Sequence, residues 1–285
     1  MALIPPFFLD CVVAIGERGQ DATERFYATG FLYGKLVRSA DRPEDNRYHI
    51  YLVTNRHVLV GATSIILRFN ALGDTPALTF DLSLQDGEQH SIYSLHTDVD
   101  VDVGVIPING QLLNDLGIRF HFFAESTHAM TLQTAASKGV SEGDGIFLLG
   151  FPMGDAGNDQ NYVVARQGII ARIRDALAGK SKYYLIDSAT FPGNSGGPVI
   201  TKPEITSIQG TAANENASLI GIAAGYVPYQ DVAVSTQTKR PRIIFEENSG
   251  LGVVFAVDCI MSVVEVAEQK SKVGLIQDIH STGQA

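Results

Sequence analysis

Short apolar runs rich in Val, Ile, Phe and Tyr alternate along the chain with polar segments that carry glycine or proline. Runs of this length and composition, bounded by turn residues, are typical of β-strands. In the first part of the chain they predict six strands, at residues 9–16, 25–37, 47–54, 63–69, 77–83 and 103–108. This number of strands is enough for one small barrel.

A second series of apolar runs follows after an irregular segment. It predicts strands at residues 145–152, 161–173, 182–189, 197–201, 217–225 and 251–258. Closure into a barrel removes exposed strand edges, and six short strands suit it. The expected fold class is therefore all-β, with two six-stranded antiparallel β-barrels, the N-terminal one at residues 1–109 and the C-terminal one at 144–258.

The remaining segments show other patterns. Residues 110–143 contain two stretches with the character of short helical turns and are expected to connect the barrels. Residues 226–250 are polar and of mixed charge, which predicts a long loop. Residues 259–285 are expected to form a C-terminal helix and a tail, since apolar residues recur at helical spacing after Asp258 and would pack on the second barrel.

Composition and charge limit the class of protein. With 45% hydrophobic and 18% charged residues, the chain fits an ordinary soluble globular protein. A net charge of −10 repels a phosphate backbone, so no nucleic-acid partner is expected. The N-terminus has no Lys or Arg before its apolar residues and contains Pro5 and Pro6, which does not fit a signal peptide.

The predicted location is the cytoplasm, without membrane contact, since no apolar run reaches the roughly 18 residues that a membrane span requires. Cys11 and Cys259 could pair if the fold brought them together, but in that compartment the expected state is two buried free thiols.

A histidine stands where a predicted strand ends. In TNRHVL, residues 54–59, His57 follows the apolar run IYLVT. An imidazole at this place is a candidate catalytic base. A lone histidine at a strand end is more often structural.

Three aspartates alternate with valines just before a buried-looking strand. Asp98, Asp100 and Asp102 share one face of an extended chain, which is compatible with a solvated face or with a carboxylate held against the histidine. Asp102 is the preferred partner, because it directly precedes VGVIPI.

A glycine-rich turn surrounds one serine in FPGNSGGPVI, residues 191–200. Such a turn directs the N–H groups of Gly193 and Ser195 toward one point beside the serine hydroxyl, which is the arrangement of an oxyanion hole. The same sequence is compatible with a turn and nothing more.

Together the three segments supply a base, an acid that orients it and a nucleophile, in the order His57, Asp102, Ser195. That order is one of the known orders of catalytic triads. His90, His96 and the aspartates lack recognisable zinc spacing, so neither a metal nor another cofactor is assigned.

These segments resemble the trypsin-like serine peptidases of the chymotrypsin fold, and most of all the HtrA-like bacterial branch. TNRHVL is similar to the histidine motif of that family, DVGV to its aspartate motif and DSATFPGNSGGPVI to its serine segment. GIFLLGFPMG, QGIIARI, LIGIAAG and LGVVFAV are similar to strands of its second barrel. The resemblance implies that His57 is the general base, Asp102 its orienter and Ser195 the nucleophile, with the amides of Gly193 and Ser195 as the oxyanion hole.

The resemblance also implies where a substrate side chain would bind. Ala189 takes the position at the base of the specificity pocket, and the pocket wall maps to Gly221, Ile222, Ala223, Ala224 and Gly225. Alanine at the base favours a small or apolar residue before the scissile bond. Two features of the family pattern are missing: an activation sequence that frees an Ile-Val terminus, and PDZ modules after the last helix.

The leading hypothesis is a serine endopeptidase with a protein or peptide substrate. One alternative is an inactive peptidase-like module that binds peptides without cutting them. Another is a latent peptidase that an activating partner or effector switches on, with the basic run TKRPR at residues 238–242 as one place for regulation.

Overall fold

The computed structural model describes residues 3–42, 45–204 and 214–272. The described part is mostly β-structure with short helices at the connections. The helices are α1 (Pro6–Leu9), α2 (Arg56–Leu59), α3 (Gly110–Asp115), α4 (Glu125–His128), α5 (Leu132–Ser137), α6 (Arg174–Leu177) and α7 (Val257–Lys272). Helices α3 and α5 match the two helical turns predicted between the barrels.

The N-terminal half is an eight-stranded sheet. Its strands are β1 (Val12–Arg18), β2 (Glu24–Arg38), β3 (Arg47–Thr54), β4 (Ser64–Phe69), β5 (Leu78–Ser83), β6 (Ser94–Leu95), β7 (Gly104–Ile108) and β8 (Phe123–Ala124). The order is β5-β4-β1-β2-β3-β7-β6, and β8 pairs with β2 in parallel. The path is open between β5 and β6, where a single bridge joins Gln85 to Ser91, so this half is a half-barrel rather than the closed one predicted.

The C-terminal half is a closed barrel of six strands, as the sequence predicts. Its strands are β9 (Gly145–Gly150), β10 (Val164–Arg172), β11 (Tyr183–Asp187), β12 (Pro198–Thr201), β13 (Leu219–Val234) and β14 (Pro241–Ala256). Around the barrel the order is β10-β11-β14-β13-β12-β9, with antiparallel neighbours throughout. The predicted fold class, an all-β protein of two consecutive barrel-like halves, is confirmed.

The prediction of a long loop at residues 226–250 is wrong. Strands β13 and β14 continue past the barrel as a two-stranded antiparallel ribbon, in one register from Pro228 opposite Asn248 to Ala233 opposite Ile243, with a shift before Val234 pairs with Pro241. The basic run at 238–242 lies at the tip of this ribbon, where the Ser235 and Lys239 amides donate to the Arg240 and Ser235 carbonyls. We call the paired residues 226–250 the ribbon.

One apolar core joins the two halves. It holds Phe31 and Val105 from the N-terminal sheet together with Leu149 and Phe255 from the barrel. Helix α7 adds Ile260, Val263 and Val264 to the same core, so it packs between the halves and not on the second barrel alone. The helix is also tied to the N-terminal sheet by Tyr51, whose hydroxyl donates to the Glu268 carboxylate at 2.5 Å.

Cys11 and Cys259 are both buried free thiols, as predicted. Burial is the main reason that the pKa of the Cys259 thiol is raised to about 11, and the pKa of Cys11 is raised for the same reason. Both side chains are therefore neutral members of the core.

Candidate active site

His57 lies on the single helical turn α2, directly after strand β3 ends. The strand delivers the buried residues Thr54 and Asn55, and the chain then turns so that Val58 and Leu59 enter the core. His57 falls on the opposite side of this turn, with 52% of its side chain exposed. The exposed imidazole is thus carried by a backbone turn whose neighbouring side chains are buried.

Asp102 contacts His57 at two atoms. Its Oδ2 lies 2.6 Å from His57 Nδ1, and its Oδ1 accepts a hydrogen bond from the His57 backbone amide at 2.9 Å. A ring nitrogen that faces a carboxylate carries the proton, which leaves Nε2 as the basic nitrogen. The contact therefore sets both the orientation of the ring and the nitrogen that can accept a proton.

The other two aspartates of the sequence motif have different surroundings. The Asp98 carboxylate forms an ion pair with Lys182 and accepts a hydrogen bond from the Asp100 amide. Asp100 itself is exposed. Of the three, only Asp102 contacts His57 in the described part of the chain.

Two residues beside His57 hold the loop that carries Asp102. Asn55 is fully buried, and its Nδ2 donates to the Asp102 carbonyl at 2.7 Å. The Arg56 guanidinium donates to the carbonyls of His96 and Asp98. Sequence reasoning missed both residues, although their place next to His57 in TNRHVL was a usable signal.

The turn that carries Ser195 is closed by its own hydrogen bonds. The Asn194 amide donates to the Phe191 carbonyl and the Gly197 amide to the Asn194 carbonyl, each at 2.9 Å. Gly193 and Gly196 have φ of +96° and +85°. A Cβ on Gly193 would lie 2.3 Å from the Phe151 carbonyl oxygen, so both the backbone angle and the space require glycine.

The turn is fastened to both halves of the protein. Thr29 of strand β2 donates from its hydroxyl to the Gly193 carbonyl at 2.6 Å and from its amide to the Ser195 carbonyl at 2.8 Å. The Met153 amide donates to the Pro192 carbonyl at 2.6 Å. The Thr54 hydroxyl donates to the Thr29 carbonyl at 2.9 Å, which links the turn to the strand that precedes His57.

These bonds use the carbonyls of the turn and leave two amides unpaired. Within the described residues, neither the Gly193 nor the Ser195 N–H donates to any acceptor. Two unpaired donors on one tight turn can stabilise a negative oxygen. Thr29 and Met153, which fix the peptide orientation, were missed from the sequence because both contacts join residues far apart in the chain.

The Ser195 hydroxyl is oriented toward strand β13. It donates to the Ala224 carbonyl over 3.4 Å, a long hydrogen bond. Across the residues that the structure describes, no hydrogen bond joins this hydroxyl to the His57 ring. Rotation about the Cα–Cβ bond of Ser195 is the movement that would redirect it.

The residues of the predicted specificity pocket have different surroundings in the structure, some exposed and others buried. Ala189 is exposed, and a side chain added at Gly225 would meet no atom within 4 Å. Ala224 lies beside the serine through its carbonyl. By contrast, Ile222 and Ala223 are buried in the core, and a Cβ on Gly221 would lie 2.3 Å from the Phe255 carbonyl oxygen.

None of these three residues faces open space. Ile222 packs in the core between the halves and Ala223 in the core of the barrel, since successive side chains of a strand point to opposite faces.

The described residues contain no group of three or more His, Cys, Asp or Glu side chains arranged to hold a metal ion. No helix among them combines the length and the apolar character needed to cross a membrane.

Comparison with known proteins identifies a family. The family model described as a trypsin-like peptidase domain matches residues 28–204. No curated protein matches the chain. Among solved structures, the MamO protease domain from Magnetospirillum magneticum in its apo form is similar, with 15% identity over 90% of this chain and 97% of that one and a TM-score of 0.46.

Two structures of Rv3671c from M. tuberculosis are also similar, each at 19% identity. One is a serine-to-alanine mutant described as the inactive form, with 96% of this chain and 91% of that one covered and a TM-score of 0.39. The other, the protease in its inactive form, covers 94% of this chain and 90% of that one with a TM-score of 0.40. Structural similarities this low provide no evidence beyond the family match.

Proposed function

Because this chain belongs to the family of trypsin-like peptidase domains, we propose that it is a serine endopeptidase that works through an acyl-enzyme at Ser195. His57 is the general base, Asp102 its orienter, and the amides of Gly193 and Ser195 form the oxyanion hole. The observation that carries the proposal is the two-point contact of Asp102 with His57, through Nδ1 at 2.6 Å and the amide at 2.9 Å.

The reaction follows from these positions. His57 Nε2 removes the proton from Ser195 Oγ as the oxygen attacks the carbonyl carbon of the peptide bond. The carbonyl oxygen becomes negative and accepts hydrogen bonds from the Gly193 and Ser195 amides. The imidazolium, stabilised by Asp102, then protonates the leaving amine as the C–N bond breaks. Water repeats the sequence on the ester, which releases the acid and restores Ser195.

A fluorophosphonate probe, which phosphonylates an activated serine, tests this proposal. Labelling is expected in the wild type and is expected to be lost in both Ser195→Ala and His57→Ala. Circular dichroism of each variant controls for folding. Undiminished labelling or peptide cleavage by Ser195→Ala would rule out Ser195 as the nucleophile.

We further propose a preference for a small or apolar residue before the scissile bond. Support comes from the uncharged Ala189 and from the open space beside Gly225. In a series of fluorogenic peptides, substrates with Ala or Val at that position should be cleaved faster than those with Lys or Glu. Faster cleavage after Lys would contradict this preference, and Asp187, the acid two residues before Ala189, would then be the group to examine.

A second candidate function is a latent form of the same peptidase. The hydroxyl of Ser195 is bonded to the Ala224 carbonyl instead of His57, which supports a resting state that needs a partner or a substrate to complete it. Labelling that requires an added protein or peptide would favour latency. A peptide that binds with measurable affinity and is never cut would favour an inactive binding module.

A further inference from the structure

The ribbon leaves one edge of strand β14 without a partner. Strand β11 covers that edge only from Leu251 onward, and Asn248 is tied to the segment after β11 because its side chain donates to the Thr190 carbonyl. Farther out, and within the described part of the chain, residues 241–247 pair only with β13 on the other edge. A free strand edge presents unpaired N–H and C=O groups to which another strand can be added.

Two features of β13 show which backbone groups of β14 point to its free edge. The Val232 amide donates to the Asp231 side chain at 2.8 Å, so it is not used in the ladder to β14. Pro228, an even number of residues away on the same strand, has no N–H to give to that ladder. Because bonded and non-bonded pairs alternate along an antiparallel ladder, Ile244, the residue paired with Val232, directs its N–H and C=O away from β13.

The sequence of β14 around Ile244 is complementary to itself in the antiparallel direction. In RPRIIFEE, residues 240–247, basic residues precede the apolar centre and acidic residues follow it. If two such strands pair about a two-fold axis at Ile244, Arg242 lies opposite Glu246 of the second copy, and Ile243 lies opposite its Phe245. Each of these pairs occurs twice by symmetry. Opposite charges and apolar side chains directly across from each other stabilise a sheet.

The charged groups that this pairing needs are not engaged in ion pairs. Glu246 accepts hydrogen bonds from two uncharged groups, the Tyr226 hydroxyl at 3.4 Å and the Gln230 amide at 3.1 Å. Among the residues that the structure describes, no ion pair is formed by Glu247 or by the three cations of the tip, Lys239, Arg240 and Arg242. Both signs of charge are therefore available to a second copy.

The apolar centre of β14 is also uncovered. Ile243, Ile244 and Phe245 are 55%, 62% and 52% exposed, an unusual run of apolar surface for a strand that stands in water. In the antiparallel pair, Ile244 lies beside Ile244 of the second copy, and Val232 extends the same face on either side. One face of the resulting sheet then carries an apolar stripe across all four strands.

The distribution of charge favours a second copy of this chain over other occupants of the edge. The ribbon holds three acidic and three basic residues, so the remainder of the chain carries the whole net charge of −10 and repels nucleic acid and anionic lipid. Insertion into a bilayer would also bury the basic tip ahead of the apolar residues. The strand that matches the edge must be basic near the barrel and acidic near the tip, which an antiparallel β14 is.

We propose that two copies of this chain associate through the free edges of β14 at residues 241–247, in an antiparallel register centred on Ile244. The paired segment spans about 24 Å at about 3.4 Å per residue. It joins two two-stranded ribbons, each marginal in water, into one four-stranded sheet. This inference concerns the assembly of the protein and does not depend on the proposed peptidase function.

Charge reversals test the register by analytical ultracentrifugation. Arg242→Glu and Glu246→Arg each place like charges opposite one another, and each should raise the Kd of the dimer about tenfold, because both symmetric pairs change from attraction to repulsion. An equimolar mixture of the two variants should associate as the wild type does, since every pair between the two chains again joins opposite charges. Arg25→Glu is the control, because Arg25 is exposed on strand β2 of the N-terminal half, and it should leave the Kd unchanged.

Proline substitutions test the edge itself. Ile244→Pro removes the outward donor of β14 and should abolish association. Val232→Pro makes the same change on the opposite edge of the ribbon, because Val232 is paired with Ile244, and it should leave association intact. Circular dichroism of both variants controls for folding.

Four results would overturn the proposal. They are a wild type that stays monomeric, a dimer that withstands Ile244→Pro, a dimer that both proline variants dissociate equally, and a mixture of the two charge variants that does not associate. If a monomeric wild type binds phosphatidylserine vesicles and Arg242→Glu does not, the ribbon belongs to a lipid surface instead of a second copy.

Discussion

At the scale of single residues, Asn55 connects the two segments that carry His57 and Asp102. Its side chain is fully buried, and its Nδ2 is the donor to the Asp102 carbonyl at 2.7 Å. The loop before Asp102 has a second support in Arg56, whose guanidinium donates to the Asp98 carbonyl. The position of the acid thus depends on side chains that are not themselves part of the proposed chemistry.

We expect Asn55→Asp to impair the site more than its small change in size suggests. The carboxylate keeps the shape but removes the donor, so a charge would face the Asp102 carbonyl without a partner. The cost in unfolding free energy should be about 2 kcal/mol. Urea unfolding measures this cost, and the rate of fluorophosphonate labelling measures the effect on the site. Labelling at the wild-type rate by a folded variant would contradict the positioning role.

The environment of Glu142 predicts how the stability of the protein changes with pH. Its pKa is lowered to about 2, mainly because the carboxylate accepts a hydrogen bond from the Ile173 amide, with a further one from Arg174. A carboxyl whose pKa is lower in the folded state stabilises the protein fully above its ordinary pKa of 4.5 and loses that effect as the pH falls toward 2.

Glu142→Gln should therefore be less stable than the wild type at neutral pH, with the difference shrinking as the pH falls below 4.5. Thermal unfolding of both proteins across this pH range checks the expectation. Glu17→Gln is the control, since the Glu17 carboxylate is exposed and forms an ion pair with Arg25 at the surface. A difference independent of pH would show that the carboxylate charge is not responsible.

The three residues assigned to the chemistry were identifiable from local sequence because each sits in a short motif with its own turn or strand end. The residues that position them were not. Thr29 contacts Gly193, and Met153 contacts Pro192, through bonds that exist only after distant segments have packed. A motif records what a residue can do chemically, whereas such contacts depend on the tertiary fold.

At the scale of elements, the turn at residues 191–197 is fixed by lack of space as well as by hydrogen bonds. A Cβ on Gly196 would lie 1.9 Å from the Thr29 carbonyl oxygen. The same strand β2 also holds the turn through the Thr29 amide and hydroxyl. Any side chain at Gly196 must therefore push the turn away from strand β2.

Gly196→Ala should abolish fluorophosphonate labelling and lower the melting temperature well below that of Gly179→Ala. Gly179 is a matched control, because its φ is +67° but a Cβ there would meet no atom within 4 Å. A left-handed backbone alone costs an alanine about 1–2 kcal/mol, so any loss of stability beyond that of the control measures the collision with Thr29. Similar behaviour of the two variants would mean that the turn can move without harm.

The ribbon was the element least accessible to sequence reasoning. Strand prediction relies on one apolar and one polar face, but in the ribbon both faces are exposed and both carry apolar side chains. Val232 and Ile244 lie on one face, whereas Tyr229 and Phe245 lie on the other. The result is a segment with the composition of a loop and the pairing of a hairpin.

At the scale of the whole molecule, Arg68 joins the two halves from a buried position. Its guanidinium donates to the Gly157 carbonyl at 2.7 Å and to the Asn158 carbonyl at 2.5 Å, and its own carbonyl accepts from Asn161. These contacts fasten the loop after β9 to strand β4. The same loop contains Met153, whose amide donates to the Pro192 carbonyl.

Arg68→Met should lower the free energy of unfolding by about 1–3 kcal/mol, because two carbonyls lose their donors. It should also slow labelling at Ser195, since the loop that positions the Pro192–Gly193 peptide is released. Arg25→Met is the control, as Arg25 is exposed and pairs only with Glu17 within the described chain. If Arg68→Met is labelled at the wild-type rate at a temperature where it is folded, the loop after β9 does not position the turn that carries Ser195.

The order of the two halves along the chain determines when the candidate site can assemble during synthesis. His57 and Asp102 are made first, and Ser195 follows, but the barrel that holds the turn closes only when β14 pairs with both β11 and β13. Helix α7, which comes after β14, then fills the core between the halves. The proposed chemistry therefore cannot begin on the ribosome until strand β14 has emerged, because the turn that carries Ser195 has no closed barrel to hold it before then.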